Sequence, residues 1–380
     1  MTRENHDVVI VGGGIVGCAL AYGLLEHGKR VLVLDGGDCD PRASKANFGL
    51  VGAYGKGYGA PRYQQLSRES VALWPEFAAS LLDETGIDVE YENDGCVHFC
   101  LSPTDFEQEA EFLSAWNAQA PDVDPGSRMI ERSELEKLLP GTRLGREVVG
   151  AGIGASDGHC NPLKLLRALH QAISSRGAAI AGNHSVTMIK PRQDGTFEIH
   201  AQTPIGPRCF EAGQLVVAAG LGSTPLGAMV ELNVPLLPQR GQLLVTERLD
   251  PILRLAASGL RQTRDGTVMI GVSHEEVGMD LGTSTFTAKK MAGRALRILP
   301  DLGAARLVRH WSCLRIITPD EHPVYAESSR FPGAWIALCH SGITLAAVHA
   351  GPVARELARG RLPENFEFFH HRRFDVSQVI

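Results

Sequence analysis

A β-branched run, Asp7-Val8-Val9-Ile10-Val11, breaks at once into Gly12-Gly13-Gly14-Ile15-Val16-Gly17, and no other stretch of the chain constrains the fold as much. The run reads as a buried strand. The residues from Ile15 to Glu26-His27 read as a helix that stops at Gly28. A second apolar strand, Val31-Leu32-Val33-Leu34, ends in Asp35. Strand, glycine turn, helix, strand and terminal acid in this order form a βαβ unit suited to a dinucleotide. Gly12 permits the tight turn, Gly14 lets the backbone approach a pyrophosphate, and Gly17 lets the helix pack closely on the strand. The helix start at Ile15 and Val16 adds amide donors and a positive dipole end. At Asp35 a carboxylate accepts from ribose hydroxyls and repels a 2′-phosphate, so NADP is disfavoured while NAD and FAD both stay open.

A length of 380 residues exceeds one ordinary core, so two domains are expected. The net charge of -6 is mild and spread along the chain, which gives no case for nucleic-acid binding. The short basic pairs Arg372-Arg373 and Lys289-Lys290 read as solvated surface. No uninterrupted apolar stretch reaches membrane-spanning length, and the polar residues 1–6 run straight into the first strand. Neither a membrane span nor a signal peptide is therefore expected, and the cytoplasm is the expected address. The eight cysteines include no CxxC pair, so no metal site is expected. Cys96 and Cys100 are expected as buried thiols on one face of a strand.

The chain reads as an interrupted domain. Beyond the polar loop 36–43 and Ser44-Lys45-Ala46-Asn47, five glycines fall between Gly49 and Gly59. That is too many for a helix or ordinary strand and suggests backbone passing close to a flat ligand. Helices are expected over 66–83 and 105–118, with strands at Val89-Glu90-Tyr91 and from Cys96 to Leu101. Ser133-Glu134-Leu135-Glu136 reads as a capping box opening a helix to Leu139. Asn161-Pro162 reads as a cap opening a helix that stops at Gly177. Strands at 178–180, 185–189, 197–200 and 215–220 then restore the parallel-sheet pattern. Strand-rich patterning over 235–251 and 268–271, a strand over Trp335–Leu338 and a last helix over 344–358 complete the chain.

The fingerprint, Ala-Ser-x-x-Asn-x-Gly at 43–49, Val-Ala-Ala-Gly at 217–220, Trp311-Ser312-Cys313-Leu314-Arg315 with Thr318-Pro319-Asp320, and His340-Ser341-Gly342-Ile343-Thr344 resemble the D-amino-acid-oxidase superfamily of flavoproteins. The likeness spans essentially the whole chain in order and implies FAD rather than NAD. It implies an α/β fold with an α+β cap. A Rossmann-like FAD-binding domain (1–88, 150–230, 310–380) would be interleaved with a mixed-sheet substrate or cap domain (89–149, 231–309). Gly55-Lys56-Gly57, Ser70-x-x-Leu73-Trp74-Pro75, Pro238-Gln239-Arg240-Gly241-Gln242 and Arg372-Arg373-Phe374-Asp375-Val376 are similar to one branch. That branch holds opine oxidase catalytic subunits, hydrogen cyanide synthase subunits and D-hydroxyproline dehydrogenases.

This resemblance implies oxidation of the C–N bond of an amino acid or imino acid by hydride transfer to flavin N5, the imine then being hydrolysed by water. The expected substrate is cis-4-hydroxy-D-proline or a D-proline-like imino acid. The alternatives are the catalytic subunit of an opine (octopine or nopaline) oxidase or another D-amino-acid or glycine dehydrogenase, a hydroxy-acid oxidase whose substrate carboxylate fills the same clamp, and an electron-relay subunit that holds FAD without a substrate pocket. A second flavoprotein and iron–sulfur subunits, or another electron acceptor, are the implied partners. Arg315 matches the family's carboxylate-binding arginine, and a guanidinium fork suits a carboxylate. His274 is a candidate substrate contact in the cap. For the cofactor, Gly12, Gly14, Ile15, Val16 and Gly17 match the pyrophosphate turn, and Asp35 matches the adenosine ribose site. Ser44, Asn47 and Gly49 match the phosphate and flavin-ring lining, and Val186 matches the adenine-side backbone. Gly220 closes the 217–220 motif, and Gly342, Ile343 and Thr344 open the last helix towards the flavin O2. Cys313 resembles the flavin-linking cysteine of monomeric sarcosine oxidases, with a small packed thiol as the other reading.

Overall fold

The computed structural model describes residues 5–37, 43–120 and 126–375. Residues 1–4, Cys39, most of the 36–43 loop and Val376 lie outside the described residues.

The strand Asn5–Val11 is central to an eight-stranded sheet, parallel to Val31–Leu34 on one side and to Gly206–Val217 on the other. Ala179–Ala181 extends the sheet beyond Val31–Leu34, and Ala334–Leu338 extends it beyond Gly206–Val217, both in parallel. Val324–Glu327 closes that edge antiparallel. Phe197–Thr203 pairs with the long strand Gly206–Val217 and carries Ser185–Pro191 on its other edge. Val8, Val9 and Ile10 are all buried, because layers cover both faces of the sheet. This is why the run is continuously apolar rather than alternating. On one face lie the helices Ile15–Glu26 and Pro162–Ser175 with the C-terminal segment; Phe197, Ile199, Val230 and Leu232 pack on the other.

A second eight-stranded sheet runs in the order Leu307–Ile317, Leu237–Arg248, Thr267–Ile270, Leu260–Gln262, Ala256–Ala257, Cys96–Cys100, Gly150–Gly154, Ser127–Glu131. It is antiparallel except between Ala256–Ala257 and Cys96–Cys100. The helix Thr285–Ile298 seals it with Met291, Ala295 and Ile298. This is the mixed-sheet cap, so the α/β-with-cap architecture is present. The sheets exchange chain at points displaced from residues 150 and 310. Gly150–Gly154 hydrogen-bonds strands of the cap on both sides, and Leu307–Ile317 runs along Leu237–Arg248 for its whole length.

Three local expectations are corrected. Val89–Tyr91 is no strand: Glu90 takes φ of 55° while its carboxylate binds Lys164 and Asn161. The capping box at Ser133 does not form. The helix starts at Arg132, whose guanidinium is fixed by the carbonyls of Gly145 and Val148. The last helix does not open at 342–344. Those residues form a turn, Ala346–Val348 follows, and Gly351-Pro352 interrupts the helix before Ala354–Ala358. The Asn161 cap stands as read, its Oδ1 accepting from the Leu163 and Lys164 amides.

The helix Pro61–Thr85 holds the 341–344 turn in place. Ser70 Oγ and Trp74 Nε1, four residues apart on one face, both donate to the Thr344 carbonyl at 2.6 and 2.9 Å. The Tyr63 hydroxyl donates to Ser341 Oγ at 2.8 Å. Removing both donors with Ser70→Ala and Trp74→Phe strands a buried carbonyl. The double variant should lose about 1–3 kcal/mol in denaturant unfolding. Gly23 faces the carbonyl of Ala350 with no room for a Cβ between them. Gly23→Ala should cost about 1–3 kcal/mol by forcing the helices apart, and unchanged stability would show that the two backbones can separate freely. Burial lowers the pKa of His159 to about 4 and of His349 to about 3. Both lie below the unfolded value of about 6.5, so the unfolded chain takes up protons first. This contribution to stability is complete above about pH 6.5 and is lost as the pH falls towards about 4. Urea midpoints measured at about pH 7.5, 5.5 and 4.5 should fall in that order, and a flat profile would contradict the neutral buried rings.

Candidate active site

The glycine turn is shaped by what its side chains would strike. A Cβ on Gly12 (φ 118°) would meet the Ala218 carbonyl, and one on Gly17 would meet the carbonyl of Gly12. A Cβ on Gly14 would lie 2.9 Å from Ser44 Oγ. That hydroxyl accepts from the Ile15 amide at 3.0 Å, so its own proton is left to point at an incoming oxygen. Asp35 Oδ2 accepts from the Gly13 amide at 2.7 Å and Oδ1 from the Gly37 amide at 2.9 Å. The carboxylate is thereby fixed beside the turn at the end of its strand. Val186 comes to the same end, because the His184 amide two residues before it donates to the Asp35 carbonyl at 2.7 Å. A glycine cradle, a helix start and a fixed carboxylate form a donor and acceptor set that fits the ADP half of FAD.

The loop after Ser44 continues towards the cap. Asn47 Oδ1 accepts from the Gly49 amide at 2.8 Å, and Gly49 (φ 94°) crosses the Cys160 carbonyl with no space for a side chain. Thr344 Oγ1 lies 3.3 Å from the Gly52 amide and 3.4 Å from the Leu50 carbonyl, tying the 342–344 turn to this loop. Gly220 (φ 59°) follows the long strand and faces Ile316 of the cap. Asn47, Gly49, Gly220 and the turn of Gly342, Ile343 and Thr344 thus collect where the two sheets meet. Gly342, Ile343 and Thr344 lie in a turn and not at a helix start.

Arg315 stands on the edge strand of the cap, directly opposite Gln239. Its Nη1 donates to Gln239 Oε1 at 2.7 Å and its Nη2 to the Ser273 carbonyl at 2.7 Å. The guanidinium lies over Gly241, where a Cβ would come within 2.8 Å of Nη2. Backbone pairing between Arg240 and Glu275 brings Ser273 to this place. Glu275 is bound by Arg240, Ser273, Gln242 and Thr287; burial raises its pKa, but these bonds outweigh it and hold the carboxyl at about 2. No carboxylate among the described residues pairs with Arg315. Burial lowers its pKa, and Cys313 and Glu321 offset this in part. An arginine stays charged under these conditions, so the site contains a cation without a protein anion against it.

His274 Nδ1 lies 2.7 Å from Arg315 Nη1 and 2.9 Å from Gln239 Oε1. Burial and then Arg315 lower its pKa, so the ring is neutral near neutral pH and Nδ1 accepts from Arg315. His274 therefore orients the guanidinium. Cys313 is buried two residues before Arg315, opposite Gly241, and burial pushes its thiol pKa up. Glu198, His200 and Cys209 also approach one another, but Glu198 is bound by Arg192 and His200, which hold its carboxyl at about 2. That cluster reads as an ion-pair network.

Gln239 and Lys56 both stand in motifs of the sequence, yet neither position declares a role there. Gln239 owes its role to strand register against Arg315, which a single sequence does not disclose. Lys56 lines a cavity of about 480 Å³ whose walls also include Tyr54, Tyr63, His98, Glu321 and His340. These residues come from four separate stretches of chain.

The profile of a family described as FAD dependent oxidoreductase, DAO, matches residues 7–356. The B subunit of opine oxidase from Agrobacterium tumefaciens (strain Ach5) is 40% identical over 375 residues, covering 98% of this chain and 99% of that protein. The B subunit of opine oxidase from Rhizobium meliloti is 40% identical over 378 residues, with 98% and 99% coverage. Among solved structures, glycine oxidase from Geobacillus kaustophilus superposes with a TM-score of 0.86 at 24% identity, covering 100% of both chains. Among the described residues no helix is long and apolar enough to cross a membrane. The cofactor is FAD, the reaction is an oxidation of an amino-acid-like substrate, and the chain belongs to the DAO family of FAD-dependent oxidoreductases.

Proposed function

We propose that this protein oxidises the C–N bond of an α-amino acid whose nitrogen is a secondary amine, with Arg315 holding the substrate carboxylate. The observation that carries this reading is the Arg315 guanidinium, bound by Gln239 and Ser273 and lacking a carboxylate partner among the described residues. Gly12, Gly14, Ile15, Val16 and Gly17 would hold the FAD pyrophosphate with Ser44, and Asp35 and Val186 would hold the adenosine end. Asn47, Gly49, Gly220, Gly342, Ile343 and Thr344 would line the ring. When bound, FAD supplies the acceptor for the hydride. The protein fixes the carboxylate and orients the Cα–H. His274, neutral and accepting from Arg315, holds the fork in position and needs no role as a base.

Two substrate classes fit a clamp of this kind. One is the compact cyclic amine, cis-4-hydroxy-D-proline or a D-proline-like imino acid, giving the pyrroline carboxylate. The other is an N-substituted amino acid of the opine kind. The 40% identity to two opine oxidase B subunits over nearly the whole chain favours the second. That both relatives are named as subunits also supports assembly with further chains, for which a second flavoprotein and an iron–sulfur protein are the proposed partners.

Anaerobic addition of cis-4-hydroxy-D-proline, D-proline, sarcosine and octopine to the purified protein should bleach the flavin with at least one of them. Arg315→Ala should retain FAD and raise the concentration for half-reduction about 100-fold or more, as expected for a lost charge pair worth about 2–5 kcal/mol. Half-reduction at the wild-type concentration would remove Arg315 from the clamp. It would then favour an FAD-holding relay subunit without a substrate pocket.

A further inference from the structure

The loop between the flavin-side segment and the helix Pro61–Thr85 is built to present one side chain. Gly55 and Gly57 flank Lys56 with φ of 71° and 69°, which only glycine adopts readily. The Trp116 indole donates to the Lys56 carbonyl at 2.8 Å, and Gln119 Nε2 donates to the Gly57 carbonyl at 3.1 Å. A Cβ on Gly57 would strike the Gln64 amide, so this backbone has no second position. Lys56 itself is half-buried on the wall of the 480 Å³ cavity. Its ammonium has no hydrogen bond or ion pair among the described residues; burial lowers its pKa, and the nearby charge of Asp157 offsets this only in part. An enclosed cation without a partner is costly to keep unless a ligand pairs with it.

None of the three carboxylates on the wall, Glu109, Asp320 and Glu321, makes an ion pair with Lys56. Asp320 is bound by Arg373 and Thr318. Glu109 accepts from the Tyr54 hydroxyl at 2.7 Å. His98 and His340 are kept neutral by burial, with pKa values lowered to about 4 and about 3. The cavity adjoins the clamp. Glu321 lies on its wall and is near enough to Arg315 to raise the arginine's pKa. His340, also on the wall, is influenced by Lys56 on one side and by Arg315 and His274 on the other.

We infer that the Lys56 cavity is a second anion subsite, taking the distal carboxylate of a substrate whose first carboxylate is held by Arg315. The inference rests on the proposed function above and narrows its substrate to a dicarboxylic secondary amine. Lys56 sets specificity at a distance from the reacting carbon and takes no part in the bond changes.

Octopine and N2-ethylarginine differ by one carboxylate on the N-substituent and serve as matched probes. Their dissociation constants can be read by titration calorimetry on protein whose flavin has been reduced beforehand, a state that accepts no hydride from either probe. Wild-type protein should bind octopine at least about tenfold more tightly, the scale of one enclosed charge pair. Lys56→Met and Lys56→Gln should reduce that preference to less than about twofold, Lys56→Arg should keep part of it, and FAD content and flavin midpoint potential should not change. Equal binding of the two probes by wild type, or binding of neither, overturns the inference. So does a preference that survives in both neutral variants. A changed flavin potential with the preference intact would overturn it as well, showing that Lys56 answers to the flavin. Flavin bleaching by sarcosine or D-proline without any preference for octopine would leave the proposed function standing while removing the second subsite.

Discussion

Close approach of backbone to backbone around the helix Ile15–Glu26 is the constraint on which the rest of the structure depends. Gly12 lies against the Ala218 carbonyl, Gly17 against the Gly12 carbonyl and Gly23 against the Ala350 carbonyl, each without room for a methyl group. The first contact ties the turn to the long central strand, and the second sets the helix on its own strand. The third brings in the C-terminal segment, which carries the Ser341–Thr344 turn. One short helix thus fixes the relative positions of the glycine turn and the Ser341–Thr344 turn. Small residues do here what hydrophobic burial alone would not, because a looser packing would still be buried.

The parts of the fold that were legible in the sequence are those decided locally. The βαβ unit declares itself through composition, and Asn161-Pro162 through capping chemistry, since each depends on residues within one turn. The misread parts are decided by distant partners. Val89–Tyr91 has the composition of a strand, but Glu90 is drawn into a bond with Lys164. Ser133 could cap a helix, but Arg132 is anchored first by two carbonyls from a later loop. In the site, the resemblance pointed to Arg315 because a run of neighbouring residues carried it. Gln239 and Ser273 depend on strand register and on a backbone bridge at Arg240, and neither leaves a periodic trace. The pocket around Lys56 is assembled from four separate stretches, so no window of sequence contains it.

The electrostatics of the site have a simple form. Three histidines near it, His98, His274 and His340, are held below their ordinary pKa mainly by burial. Near neutral pH they contribute hydrogen-bonding capacity and no charge. The fixed cation is therefore Arg315, with Lys56 on the neighbouring wall at a pKa that burial lowers. A carboxylate entering this region meets enclosed surroundings that strengthen each contact relative to water.

The strand Leu307–Ile317 forms an edge of the cap sheet and runs directly into the Thr318–Asp320 turn, which Arg373 fastens to the C-terminal end of the chain. Arg315, the proposed carboxylate clamp, is two residues from the end of that strand, so it belongs mechanically to both halves of the molecule. A cap that swung open as a rigid body would have to tear this strand from its neighbour or pull the arginine away from the pocket. Traffic of substrate and product must then pass through movements of side chains and short loops, with the two sheets acting as a single frame.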